Sequence, residues 1–290
     1  MSNRAMKTAI GIAKRLMRLL CVILLVMAGS TALVRIAPGY LSDAREMDAR
    51  YASEARARLA TEAGQSHSVL QMLEIEVGGW VRGDAGISRQ FDVPVSELIM
   101  PRLAVTGSLI SRSILLAWIL AVCASILASA GRKPSPLWQT PATALMAIPT
   151  AAMATVCILA DTGGPVLVMA LLLAARDFKF LHRALRKALL DTHVLQARAQ
   201  GLGSRQLLTM HIMPSILPQL SALISLSIVT ALSAIVPVEV IFNVPGLGQL
   251  AWNAALNRDL PVLLAITLIM ALAVTASGAL SSESLDWKSA

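Results

Sequence analysis

"IMPSILPQLSALISLSIVTALSAIVPV", residues 212–238, runs for 27 residues without an Asp, Glu, Lys or Arg. Wound as an α-helix rising about 1.5 Å per residue, it reaches about 40 Å, more than the roughly 30 Å hydrocarbon thickness of a bilayer. Lipid offers no hydrogen-bond partner, so a chain crossing it must bond its own backbone, which a helix does. The stretch therefore predicts a membrane-spanning helix. Five more charge-free runs follow the same logic: Leu19–Val34, Ser113–Gly131, Pro134–Ala160, Thr162–Ala175 and Leu260–Ser282. Six spans and an all-α membrane protein are expected. Two runs are short: the first uses Arg18 and Arg35 as snorkelling ends, and the fourth is expected to continue as helix past Arg176 and Asp177 toward the cytoplasm.

Composition agrees. Of 290 residues, 56% are hydrophobic and only 14% charged, with a mean hydropathy of +0.68, which excludes an ordinary soluble globular domain. The net charge of +8 invites a nucleic-acid reading, but the basic residues gather beside the spans, where the positive-inside rule and anionic lipid account for them. Membrane lipid is expected as a partner and nucleic acid is not. Arg4, Lys7, Lys14, Arg15 and Arg18 stand in residues 1–18 without an acid, so the N-terminus is expected in the cytoplasm. Alternation then places 35–102 outside, a stretch with no lysine and more acids than arginines, and places "GRK" at 131–133 and the basic stretch 176–211 inside. Both termini face the cytoplasm in this topology. The first run follows basic residues as a signal peptide would, but the five later spans favour a retained anchor. Cys21, Cys123 and Cys157 lie inside apolar runs without CxxC spacing, as small buried hydrophobes do, so neither a metal site nor a disulfide frame is expected.

The chain divides into residues 1–34, a cytoplasmic N-terminus with the first span; 35–102, an extracytoplasmic insertion; 103–282, a five-helix core; and 283–290, a cytoplasmic tail. In the insertion, "LSDAREMDARYASEARARLATEA" at 41–63 is patterned as a helix with Ser42 or Asp43 as N-cap. The following "VGGWVRGDAGISRQFDVPVSELIMPRL" at 77–103 predicts turns and then a short helix leading into the second span. On the cytoplasmic side, "FKFLHRALRKALLDTHVLQARAQ" at 178–200 favours one helix with an apolar stripe through Leu181, Leu185, Ala188, Leu189, Thr192 and Leu195. Gly201 and Gly203 break it, and "SRQLLTMHIMP" at 204–214 restarts a helix with Ser204 as N-cap. The expected shape is a helix–glycine turn–helix knob projecting into the cytoplasm.

Residues 197–214, "ARAQGLGSRQLLTMHIMP", resemble the EAA loop of ABC importer membrane subunits, whose pattern is E-A-A, three residues, Gly, nine residues, I-x-L-P. The flavour is that of the dipeptide/oligopeptide/nickel permeases. Glu239 with "VIFNVPGLGQLAWNAALNRDLPVLLA" after it resembles that family's E-x-x-F-x-x-PGLG and A-x-x-RD-x-P segments. "VRIAPGY" at 34–40, "RGDAGIS" at 82–88 and "PVSELIMPRL" at 94–103 resemble segments of its B-type subunit. Four positions depart from the pattern: Leu195 stands for the loop's Glu, Tyr40 for the Asp of PGD, Ser215 for an Asn, and the C-terminal D-P-R is missing.

The resemblance implies a permease subunit of an ATP-driven importer of peptides or a similar small solute in the inner membrane. The loop 195–214, within a cytoplasmic segment of about 190–214, would be a coupling helix seated in an ATPase groove. Its residues are Ala197, Arg198, Ala199, Gly201, Leu202, Gly203, Arg205, His211 and Pro214. Small residues there permit close approach, Leu202, Leu207 and Leu208 fill the partner's groove, Arg198 and Arg205 fix register, and Pro214 marks re-entry into the membrane. Implied partners are a second permease chain, identical or different, two cytoplasmic ATPase subunits and an extracytoplasmic solute-binding protein. No GxxxxGK[ST] occurs, so no catalytic residue and no cofactor is assigned to this chain, ATP being held by the partners. Glu239, Pro245, Gly246, Gly248, Arg258 and Asp259 form an expected extracytoplasmic gate, with Pro245, Gly246 and Gly248 in a turn needing positive φ. Glu239 either snorkels from the end of its span or lines the exit and pairs with Arg258 or another subunit, and Arg258 and Asp259 can be plain interfacial charges. An ion-driven transporter is the alternative, disfavoured because the six runs hold no ionisable group suited to ion coupling. The topology is checkable in a chain stripped of its native cysteines: a cysteine at position 205 should react with a membrane-impermeant thiol reagent only after cells are opened. Labelling of that position in intact cells would reverse the orientation.

Overall fold

The computed structural model describes residues 17, 21–29, 78–79, 82–130, 136–257 and 259–286. The helix expected at 41–63, the segment 34–40 and Arg258 lie outside the described residues. Apart from an isolated antiparallel bridge between Ile87 and Pro94, the described residues form helices and turns. These are α1 (Val95–Ala130), α2 (Pro136–Ala147), α3 (Thr150–Leu159), α4 (Pro165–Leu190), α5 (Thr192–Ala199), α6 (Met213–Ile241), α7 (Leu247–Leu256) and α8 (Leu260–Asp286).

Among the described residues, three helical stretches are long and apolar enough to cross a membrane: Val95–Ala128, Leu207–Ile241 and Leu260–Gly278. The chain is thus a multi-span helical membrane protein. The short helix expected ahead of the second span is continuous with it: α1 runs unbroken for 36 residues through Pro101, about 54 Å, so its first turns project beyond a hydrocarbon layer of about 30 Å. Much of α1 shows large apolar side chains outward, Leu115, Ile126 and Leu127 among them, as a helix solvated by lipid does.

The expected third span, Pro134–Ala160, is not one rod. α2 and α3 meet at 97°. Pro149 adopts φ −60°, ψ 139°. Proline lacks the N–H for a helical bond and drives the residue before it out of the helical region, so the axis turns at Ile148–Pro149. α3 then closes through Thr162 N–H to Cys157 O (2.9 Å) and Asp161 N–H to Ile158 O (3.1 Å), with Asp161 at φ 50°. This is a Schellman stop with aspartate in the left-handed position, which explains Asp161 as a turn residue.

α4 runs past Arg176 and Asp177 as expected, from Pro165 at its first turn to Leu190. The sequence marks these two charges only as the end of an apolar run, yet both turn inward. Asp177 is fully buried. It pairs with Arg176 Nη2 at 3.1 Å and accepts from Ser227 Oγ at 2.9 Å, while Arg176 Nη1 donates to Thr230 Oγ1. Two hydroxyls of α6 therefore support an ion pair of α4, as a buried pair requires hydrogen bonds around it to be tolerated. Asp177→Ala leaves the cation without its carboxylate and should cost about 3–5 kcal/mol, whereas replacing Arg176 and Asp177 together by apolar residues of similar volume should recover most of it. Unfolding midpoints in detergent check both, and an unchanged midpoint for Asp177→Ala contradicts the arrangement.

Candidate functional site: a glycine-stopped knob and two carboxylate clasps

The basic, glycine-punctuated stretch folds as a compact hairpin, but not with the expected stripe. α4 ends at Leu190 and α5 restarts at Thr192, because Asp191 takes φ −65°, ψ 139° and its carbonyl accepts from Val194 N–H and Leu195 N–H. The break rotates the apolar face. Val194 and Ala197 turn inward in place of Thr192 and Leu195, joining Ala188, Leu207, Ile212 and Ile216 in one cluster.

α5 stops in a Schellman motif: Gly201 N–H bonds Arg198 O (3.1 Å) and Leu202 N–H bonds Ala197 O (3.3 Å). Gly201 sits at φ +83° with open space around its α-carbon, so glycine is required there by backbone conformation, which costs other residues about 1–2 kcal/mol. Leu202 packs back on the cluster. The next helical turns begin at Ser204, with Leu207 N–H bonded to Gly203 O (3.0 Å). Gly203, not Ser204, is therefore the residue at the cap.

Residues Leu207–Ile212 are π-helical and flow into α6 without interruption. Pro214, expected at the re-entry into the membrane, stands in the first turn of α6 and does not interrupt the helix. A proline cannot bond to the carbonyl four residues back and its ring crowds it, and a widened turn just before it relieves the clash.

The hairpin's outward face differs from the expected one. Leu207 is buried at 7% exposure and Leu202 is half-buried, so they belong to the hairpin's own core and not to a partner's groove. Leu195, Arg198, Ala199, Arg205 and Leu208 are exposed instead, with Met210 at 67%. The position where the resembled pattern carries Glu thus presents Leu195. Ala197 is buried, His211 is half-buried with its ring 6.5 Å from that of His193, and Pro214 is exposed.

At the far end of α6, Glu239 is 0% exposed. It neither snorkels nor lines a surface. Its carboxylate accepts from Thr106 Oγ1 of α1 (2.7 Å) and from Gly248 N–H (2.7 Å) at the start of α7. The same Thr106 oxygen accepts from Leu247 N–H (2.8 Å). Helix N-termini carry unpaired N–H groups and a partial positive charge, so a carboxylate is stabilised there. Thr106 is a member of this site that the sequence reading missed: a threonine inside an apolar helix carries no signal of its own until its neighbour is known.

The glycines serve this clasp by size. Neither Gly246 nor Gly248 has the expected positive φ; Asn243 takes it, at 51°. A Cβ on Gly246 would overlap the Glu239 carboxylate, and one on Gly248 would lie 2.8 Å from Val236 Cα and 3.0 Å from Glu239 Oε2. "PGLG" is therefore a cradle for a buried carboxylate.

A second carboxylate does the same elsewhere. Asp259 is fully buried, accepts from Ser88 Oγ, and accepts from Arg89 N–H and Gln90 N–H, each at 3.2 Å. It is not an interfacial charge. It ties the turn after "GDAGIS" to the start of α8, where Gly86, at φ +83°, brings its backbone against Pro261. The two stretches lie some 170 positions apart, so no local pattern links them.

The clasp gives a sharp expectation. Gly246→Ala should cost about 1–3 kcal/mol by overpacking, and Glu239→Ala about as much by leaving two donors unbonded. The double variant should cost clearly less than the sum, because the carboxylate that the added methyl group would strike has gone. Gly248→Ala, which also meets Val236 backbone, should show weaker relief. Additive losses in unfolding midpoint would contradict the clasp.

Residues 113–286 match the family described as binding-protein-dependent transport system inner membrane component. The oligopeptide transport system permease protein AppB of Bacillus subtilis is 31% identical over 68% of this chain and 72% of its own length. The oligopeptide transport system permease protein OppB of Escherichia coli is 27% identical over 65% of this chain and 69% of its own. The metal-staphylopine import system permease protein CntB of Staphylococcus aureus is 35% identical over a shorter stretch, 37% of this chain and 34% of its own. The family match covers more than half of the chain and contains the glycine knob, all of α6 and both carboxylates, and on that ground the chain belongs to the binding-protein-dependent transport system inner membrane components.

Proposed function

We propose that this chain is one permease subunit of an ATP-driven importer of peptides, crossing the inner membrane six times with both termini in the cytoplasm. The observation that carries the reading is the hairpin at 190–214. It has its own apolar core, a glycine stop, and an outward face of Leu195, Arg198, Arg205 and Leu208. Exposed apolar side chains flanked by cations suit a groove on a partner, with the charges setting register.

From that knob, one unbroken helix runs from Leu207 to Ile241. This continuous helix of 35 residues, with Pro218 and Pro237 inside it, is about 52 Å long, so a shift at one end has a covalent path to the other. There Glu239 holds the start of α7 and Thr106 of α1. Closure of two ATPase subunits around nucleotide would push the knob, and α6 would carry the displacement to an outer gate built on Pro245, Gly246, Gly248 and α7. The ATPases supply hydrolysis, a second permease chain supplies the other wall of the pathway, and an extracytoplasmic binding protein delivers solute. The peptide assignment rests on the family and on the relatives named for oligopeptide transport.

The carboxylates within the helices do not favour an ion-driven alternative. Glu239, Asp177 and Asp259 each accept hydrogen bonds that hold the backbone or a neighbouring helix in place. Charge reversal at both Arg198 and Arg205 leaves the hairpin core intact and should reduce ATPase co-purification and ATP-dependent peptide uptake by roughly tenfold or more. Retention of both by a chain carrying both substitutions would rule out docking through this face.

A further inference from the structure

A shallow groove of about 230 Å³ lies between α4 and α6, away from the clasps and bordering the knob, whose core Ala184 and Leu220 also touch. Its walls are Leu181 and Ala184 from α4 with Leu220 and Leu223 from α6, and Arg183 and Lys187 stand at its edge. No Asp or Glu lines it. On α4 the lining residues recur at intervals of three and four, one face of a helix. Both edge cations are exposed, and among the described residues neither is paired with a carboxylate. By contrast Lys179, one turn earlier, donates to Thr143 Oγ1 at 2.6 Å and Arg176 is held by Asp177. The groove therefore joins an apolar slot to two charges that, among the described residues, no carboxylate neutralises, about two to three turns beyond the end of α4's charge-free run at Ala175.

We propose that this groove binds an anionic phospholipid of the cytoplasmic leaflet, its phosphate on Arg183 and Lys187 and the upper part of an acyl chain against Leu181, Leu220 and Leu223. Three observations select this occupant. The apolar wall with a cationic rim matches the two ends of such a lipid, and the charge distribution along the chain puts this end of α4 on the cytoplasmic face, where basic pockets between helices hold anionic headgroups. The volume falls below the roughly 300–1,000 Å³ of a site that encloses a small molecule, so the slot suits a chain segment lying across a surface. Lipid seated there bridges α4 to α6, the pair that also shares the Arg176–Asp177 network, and would stiffen the base of the knob.

Native mass spectrometry of the full-length chain tests this, after exchange into mixed micelles of phosphatidylglycerol and phosphatidylcholine. The unaltered chain should retain phosphatidylglycerol preferentially. Arg183→Gln with Lys187→Gln should lower that retention by roughly 10- to 30-fold, from the contribution of two basic residues near a lipid surface. Gln219→Trp, which fills the slot from an exposed lining position and keeps the charges, should lower it as well. Unaltered elution in size-exclusion chromatography shows that each variant is folded, and the exposed positions of Arg183 and Lys187 make the double variant a safe one. Equal retention of the two lipids, unchanged retention in the double variant, or equal thermal protection by inorganic phosphate would overturn the proposal. Loss of subunit assembly in Gln219→Trp without any change in bound lipid would overturn it too, and would assign the groove to a protein partner.

Discussion

A carboxylate with no access to water organises the C-terminal end of α6. Glu239 sits at the end of 27 uncharged residues, and burying it unpaired would be prohibitive. The surrounding chain answers that demand: Thr106 turns its hydroxyl to it, the start of α7 aims a backbone N–H at it, and two glycines omit the atoms that would displace it. The turn between α6 and α7 and the register of α1 against α6 follow from one satisfied acceptor.

The same rule recurs where the chain buries charge. Asp177 takes Ser227 and Arg176, and Asp259 takes Ser88 with two backbone N–H groups. Apolar contacts cannot hold membrane helices in register as they do in water, since lipid tails solvate leucine as well as another helix does, and packing and hydrogen bonds take over. The three carboxylates supply fixed points between helices whose outward faces are broadly apolar. The glycine knob differs. It closes on an apolar cluster, Ala188, Val194, Ala197, Leu207, Ile212 and Ile216, and a glycine stop turns the chain.

Between these ends α6 is a rod. The π-turns at Leu207–Ile212 absorb Pro214, and the helix continues to Ile241. The glycine knob and the Glu239 clasp are thus the two ends of a single helical element, with Pro218 and Pro237 inside it. The bend at Pro149 serves the opposite purpose and splits an apolar run that is otherwise long enough to cross as one helix.

Much of this was legible in the order of residues. Uninterrupted apolar runs declare helices because lipid leaves the backbone no other partner, and Gly201 declares a stop because few residues tolerate its φ. The motifs around Gly201 and Glu239 declared the family. Tertiary structure alone decided the roles of the charged and small residues. Whether Leu202 and Leu207 face a partner or their own hairpin depends on a break at Asp191 that a helical pattern runs straight through. Gly246 and Gly248 are small because the Glu239 carboxylate, seven and nine positions back, fills the space; the motif records that spacing but not the contact. Asp259 and Ser88 meet across some 170 positions, and Thr106 and Glu239 across more than 130. Sequence periodicity reports which face a residue occupies on its own helix; which distant atom it meets there is settled only when the helices have packed.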